Sequence, residues 1–93
     1  MQLIPGPEED AILISERRNA APDPAVLAAR LPLTRREAEV LALLAQGHIN
    51  ASIAVELELS PNTVGRYIER IYAKLDVHNR VAAATAVRDA LAD

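Results

Sequence analysis

The 93-residue chain has no cysteine, no phenylalanine and no tryptophan, and its 2% aromatic content is Tyr67 and Tyr72 alone. The absence of cysteine excludes disulfides, thiolate metal sites, iron–sulfur clusters and thiol nucleophiles together, and suits a reducing compartment. The histidines are His48 and His78, too few to build a zinc site by themselves. No apolar run approaches the roughly 20 residues of a membrane span. Met1 is not followed by the basic segment and apolar core of a secretory signal, so the expected location is the cytoplasm. A basic excess is missing as well. The net charge of -3 counts mildly against a nucleic-acid partner, because such domains usually displace counterions from phosphate with a surplus of cations. What is present is aliphatic: hydrophobic residues make up 51% of the chain, so the one modest core that this length allows must be built of Leu, Ile, Val and Ala, which suit packed helices.

Composition divides the chain near residue 33. Residues 1–32 hold Pro5, Pro7, Pro22, Pro24 and Pro32, the acids Glu8, Glu9, Asp10 and Glu16, and one apolar run, Ala11 to Ile14. They read as an N-terminal arm or linker with a short extended piece, followed by a two-turn helix near 24–30 that Asp23 caps and Pro24 opens. Residues 33–93 read as helix throughout. Thr34-Arg35-Arg36-Glu37 is a capping box that starts a helix at Arg35, with Val40, Leu41, Leu44 and Ala45 on its apolar stripe and Gly47 as its left-handed stop. Asn50 is placed to cap a second, short helix that buries Ile53, Ala54 and Leu57. Ser60-Pro61 opens a third, expected over about 61–75, in which Val64, Ile68, Ile71 and Leu75 recur on one face. A fourth follows Asn79, with the small-residue stripe Ala83, Ala84, Val87, Ala90 and Leu91.

Only Glu58 and Leu59 separate the second helix from the Ser60 cap of the third, the plan of a helix-turn-helix. The second member of such a pair can enter the DNA major groove, about 12 Å wide. At about 100° per residue, the face opposite its aliphatic stripe carries Asn62, Arg66, Glu69, Arg70 and Ala73, flanked by Thr63, Tyr67 and Lys74. Arg66, Arg70 and Lys74 against Glu69 give Ser60 to Lys74 a local excess of +2 inside an acidic chain. The acids lie mostly in the arm and at the far end, so the total charge does not describe this face.

The run Leu33-Thr34-x-Arg36-Glu37-x-Glu39-Val40-Leu41-x-Leu43-Leu44-Ala45-x-Gly47, followed by Asn50, Ile53-Ala54, Leu57, Ser60, Thr63-Val64, Ile71, Lys74-Leu75-x-Val77 and Asn79-Arg80, closely resembles the LuxR/GerE-type DNA-binding domain. The resemblance extends from Leu33 to about Ala92. It implies an all-α, four-helix domain with a major-groove third helix, a dimerising fourth helix and an inverted-repeat operator. It also implies a bacterial transcriptional regulator. Departures fall on basic positions. Where the family has Ser or Thr and then Asn-Lys-Glu, this chain has Ile49, Asn50, Ala51 and Ser52, and where the family often has Lys after Thr63-Val64 it has Gly65. Tyr67 stands where His is common.

Arg66 and Glu69 are the expected base readers, Arg pairing with guanine O6 and N7 and Glu accepting from cytosine N4. The plainer alternative is an ion-pair ladder along the helix. Thr63, Tyr67, Arg70 and Lys74 would hold the sugar-phosphate backbone, although Thr63 can simply reinforce the cap and Lys74 can lie over Leu75. Arg36 could reach phosphate, and Arg80 could pair with Glu37 across the core. Ala83, Ala84, Val87, Ala90 and Leu91 serve either a homodimer or their own domain's packing. His48 and His78 read as surface or capping residues, and no constellation of an enzyme, metal site or cofactor site is visible. No receiver or ligand pocket is expected in residues 1–32, where Ala11 to Arg17 faintly resembles the last strand of a sensor domain. Control would then come from abundance, from a partner, or from a sensor outside this chain, and RNA polymerase or a regulatory protein is a candidate partner. The competing function is a protein-interaction module that keeps the fold without DNA affinity, motivated by Gly65, Ala51 and the net acidity.

Overall fold

The computed structural model describes residues 22–92, so the expected extended run at Ala11 to Ile14 and the sensor-like stretch lie outside the described residues. Within them the architecture is all-α: α1 (Pro24–Arg30), α2 (Arg35–Ala45), α3 (Asn50–Leu57), α4 (Pro61–Leu75) and α5 (Arg80–Leu91). Four of these helices lie from residue 33 onward, and a fifth precedes them. The additional one is the two-turn segment expected over 24–30, and its Leu27 is fully buried in the common core. Arg30 ties the same helix to the end of α5 by donating to the Ala90 carbonyl at 2.9 Å.

Local hydrogen bonding sets four of the five starts. The Asp23 carboxylate accepts from the Ala25 amide, Ser60 Oγ from Thr63 and Asn79 Oδ1 from Ala82, while Thr34 and Glu37 close the reciprocal capping box. The exception is α3. Its N-cap is Ile49, with no side-chain cap bond, and Asn50 is the first helical residue. The Asn50 side chain is drawn instead to Arg80, which donates to its Oδ1 and also to the His48 carbonyl. The expected Asn50 cap is therefore replaced by a brace from α5.

Three helix ends share one device. Gly47 (φ 101°), Glu58 (φ 58°) and Asp76 (φ 57°) are left-handed. The residue after each returns its amide to a carbonyl five residues back: His48 to Leu43, Leu59 to Ala54 and Val77 to Tyr72, at 3.1, 2.8 and 3.0 Å. The Glu58 reversal joins α3 to α4. Leu59, partly buried against the core, and Ser60, the next cap, complete the turn.

α2 is the hub and touches every other helix, whereas α3 touches α2 and α4. The core is aliphatic, as the lack of Phe and Trp requires: Leu27, Leu41, Ile53 and Ile71 are its largest fully buried side chains, with Val40, Val64, Ala83 and Val87 among those that close it. On α4 the stripe Val64, Ile68 and Ile71 is buried and Leu75 half-buried, so the opposite face of that helix points to solvent.

Candidate nucleic-acid interface

The outward face of α4 is set by its inward one. With Val64, Ile68 and Ile71 in the core, Asn62, Arg66, Glu69, Arg70 and Ala73 are exposed, and Thr63, Gly65 and Tyr67 are half-buried at its flanks. Neither Arg66 nor Glu69 has an ion-pair or hydrogen-bond partner among the described residues. The ion-pair ladder that would have given these charges an internal use is not formed. Asn62, Arg66 and Glu69 thus offer free donors and acceptors side by side on an exposed helix, the chemistry that base edges require. The Arg70 guanidinium lies 5.8 Å from the centroid of the Tyr67 ring, within cation–π range, which directs it along the α4 surface.

Thr63 reinforces the cap of α4: its amide donates to Ser60 Oγ at 3.1 Å, and the two hydroxyls are 2.9 Å apart. Gly65 is not demanded by packing, because a Cβ built there meets nothing within 4 Å. Its place mid-helix costs about 1 kcal/mol against alanine.

Several cations that the sequence makes available to DNA are engaged inside the protein. Lys74 Nζ donates to Glu37 Oε1 at 2.7 Å. Glu37 is 3% exposed and the same oxygen accepts from the Thr34 amide at 2.9 Å. Burial pushes the Glu37 carboxyl up, but the Lys74 ammonium and the Thr34 donor outweigh it, leaving Glu37 below the usual carboxylate range. The expected partner Arg80 is elsewhere, bracing His48 and Asn50, so the Glu37–Arg80 pairing is not made. Arg36 does not project toward a ligand either. It donates to Glu39 at 2.8 Å and to the Leu57 carbonyl at 3.3 Å, clamping the end of α3 just before the turn. Sequence spacing does not show the long-range contacts among these, whose partners lie 21 to 37 residues away.

The small-residue stripe of α5 divides. Ala83 and Val87 are buried in the protein's own core; Ala84 and Ala90 are half-buried and Leu91 is exposed. Val81, 75% exposed, is a further aliphatic residue on the solvent side of that helix. Ile49 and Val55 are also exposed, and Val55 lines a shallow depression on α3 with His48, Ala51, Ser52 and Glu56. Among the described residues no cluster of His, Asp or Glu could hold a metal ion, and no helix is long and apolar enough to cross a membrane.

Residues 31–87 match the GerE family, described as bacterial regulatory proteins, luxR family. The transcriptional regulatory protein DesR of Bacillus subtilis is 50% identical over 54 residues, which is 58% of this chain and 27% of DesR. The probable transcriptional regulatory protein NarL of Mycobacterium tuberculosis is 44% identical over 78 residues, which is 83% of this chain and 33% of NarL. The chain spans about a third or less of the length of these relatives. No solved structure gives a significant match. The family match covers more than half of the chain and includes every residue of the α3–turn–α4 unit, and so the chain belongs to the LuxR family of bacterial regulatory proteins and carries that family's helix-turn-helix DNA-binding domain.

Proposed function

We propose that the chain is a cytoplasmic transcriptional regulator that binds duplex DNA sequence-specifically as a homodimer, with α4 in the major groove. The observation that carries this is the exposed face of α4, where Arg66, Glu69 and Asn62 stand without internal partners on a helix presented by a helix-turn-helix. In this reading Arg66 pairs with guanine O6 and N7 and Glu69 accepts from cytosine N4. Thr63, Tyr67 and Arg70 contact the strand backbone, helped by the Asn62 amide in the first turn of α4. The names of DesR and NarL, both transcriptional regulatory proteins, support the regulatory role.

One chain presents one reading helix and a short supply of free cations, so two copies are needed for tight binding. The dimer contact falls on the solvent side of α5, through Leu91 with Ala84 and Ala90, since Ala83 and Val87 are occupied by the core. Two-fold symmetry then sets the reading helices about 34 Å apart and calls for an inverted repeat. Sedimentation of the chain on an inverted-repeat duplex tests the arrangement. Two chains per duplex are expected for the wild type and one for Leu91→Glu, whereas an unchanged stoichiometry in the variant removes α5 from the interface.

A second reading, a protein-interaction module, draws on the aliphatic surface of Ile49 and Val55, 64% and 78% exposed, where the family's basic phosphate contact is replaced by Ala51. Under it RNA polymerase or another regulator is the partner, and loss of the Arg66 side chain leaves function intact.

A further inference from the structure

We propose that Glu37 is a positioning residue for the reading helix and acts through Lys74, whose ammonium serves as an internal pin and not as a phosphate contact. The inference rests on the DNA-binding reading of α4. It begins from the fact that Glu37 is the buried charged residue of the described core, 3% exposed, on the first turn of α2. The capping box holds the residue by its backbone and its side chain: the Glu37 amide donates to Thr34 Oγ1 at 3.2 Å, and the Thr34 amide donates to Glu37 Oε1 at 2.9 Å. The second partner of that carboxylate is Lys74, on the last turn of α4, at 2.7 Å.

Most of the remaining attachment of α4 is apolar, with Tyr67, Tyr72 and Leu75 packed at the edge of the core and Tyr67 beside Arg36 of α2. Val64, Ile68 and Ile71 hold it by burial, which is non-directional and tolerates rotation or sliding of a helix on its neighbours. A charged bond to a carboxylate whose rotamer is already fixed is directional. It sets the azimuth of α4 relative to α2, and therefore where Asn62, Arg66 and Glu69 point. A turn of 20° displaces atoms about 7 Å from the helix axis by roughly 2 Å, far beyond the ~0.5 Å within which a recognition group must be held. Lys74 is also disfavoured as a phosphate ligand by what it would leave behind. Drawn to DNA, it abandons a buried carboxylate without its counter-charge, a state that proteins avoid.

The test uses Glu37→Gln, Lys74→Gln, their combination and Lys74→Arg in the full chain, at a temperature where circular dichroism shows each variant folded. Gln at 37 keeps an oxygen for the Thr34 amide, so the cap survives. Affinity for the duplex preferred by the wild type is measured as a function of salt. Each single Gln variant is expected to bind about tenfold more weakly with an unchanged salt slope. The double variant should bind no more weakly than either single one, and Lys74→Arg should restore most of the affinity. A slope reduced by about one per chain in Lys74→Gln marks a phosphate contact and overturns the proposal. So does a double variant whose losses multiply, or folded variants with wild-type affinity. Arg66→Ala, measured alongside, separates the two levels: if the wild type prefers no duplex, DNA reading and pin both fall, whereas if Arg66→Ala weakens binding and the Glu37 and Lys74 variants do not, the pin alone falls.

Discussion

Arg66→Ala is expected to lower affinity for the preferred duplex by roughly 30- to 1,000-fold. A bidentate base contact is worth about 1–3 kcal/mol, and a two-fold dimer loses it twice, so a total near 2–4 kcal/mol is a moderate expectation. The loss should be concentrated on one sequence. Arg66 is exposed and free of internal partners, so its removal takes nothing from the fold, and thermal stability should stay within ~0.5 kcal/mol of wild type. Fluorescence anisotropy against duplexes that carry each of the four base pairs at the contacted position should show the guanine preference flattened. Arg70→Ala makes the contrast, since a backbone contact weakens binding on all sequences alike and reduces the salt slope by about 0.9 for each lost phosphate. If Arg66→Ala keeps both affinity and base preference, α4 is not read in the way its exposed face suggests.

The second large effect concerns α1. Leu27→Ala is expected to destabilise the protein by about 2–5 kcal/mol, the usual range for emptying a buried leucine site. Domains of this size are stable by roughly 4–10 kcal/mol, so the change consumes about a fifth or more of the total. Leu27 is fully buried, and α1 touches both α2 and α5, which places it in the same cooperative unit as the helix-turn-helix. Val55→Ala, at a site 78% exposed, should stay within ~0.5 kcal/mol. Urea denaturation of the two variants decides the matter, and an unfolding midpoint for Leu27→Ala equal to wild type would show α1 to be an appendage of the fold.

Four of the five helix starts were legible because their causes are local. Asp23-Pro24, Thr34 with Glu37, Ser60-Pro61 and Asn79 each act over two or three residues, and each forms the bond that its spacing suggests. The buried stripe of α4 was legible for the same reason: a period of 3.6 is a property of the segment itself. That stripe in turn identified the exposed face with Arg66 and Glu69. What sequence spacing did not show is where long side chains end. Arg36, Lys74 and Arg80 have several rotatable bonds, and their partners, the Leu57 carbonyl, Glu37 and the His48 and Asn50 pair, come into reach only after the helices pack. The same holds for Asn50, whose amide was drawn away from its helix by Arg80, and for α1, whose place in the core depends on α2 and α5 being assembled. Charge counting along the chain therefore overstated the cations free to meet DNA.

The most direct measurement of the central claim is selection of bound duplexes from a random pool by the purified chain, at low and at near-physiological salt, followed by sequencing. Sequence-specific binding by paired α4 helices predicts an enriched inverted repeat, with half-site centres about one helical turn apart, that persists at the higher salt. A pool that remains random at both salt concentrations contradicts that claim and points to a protein partner for the surface around Ile49 and Val55.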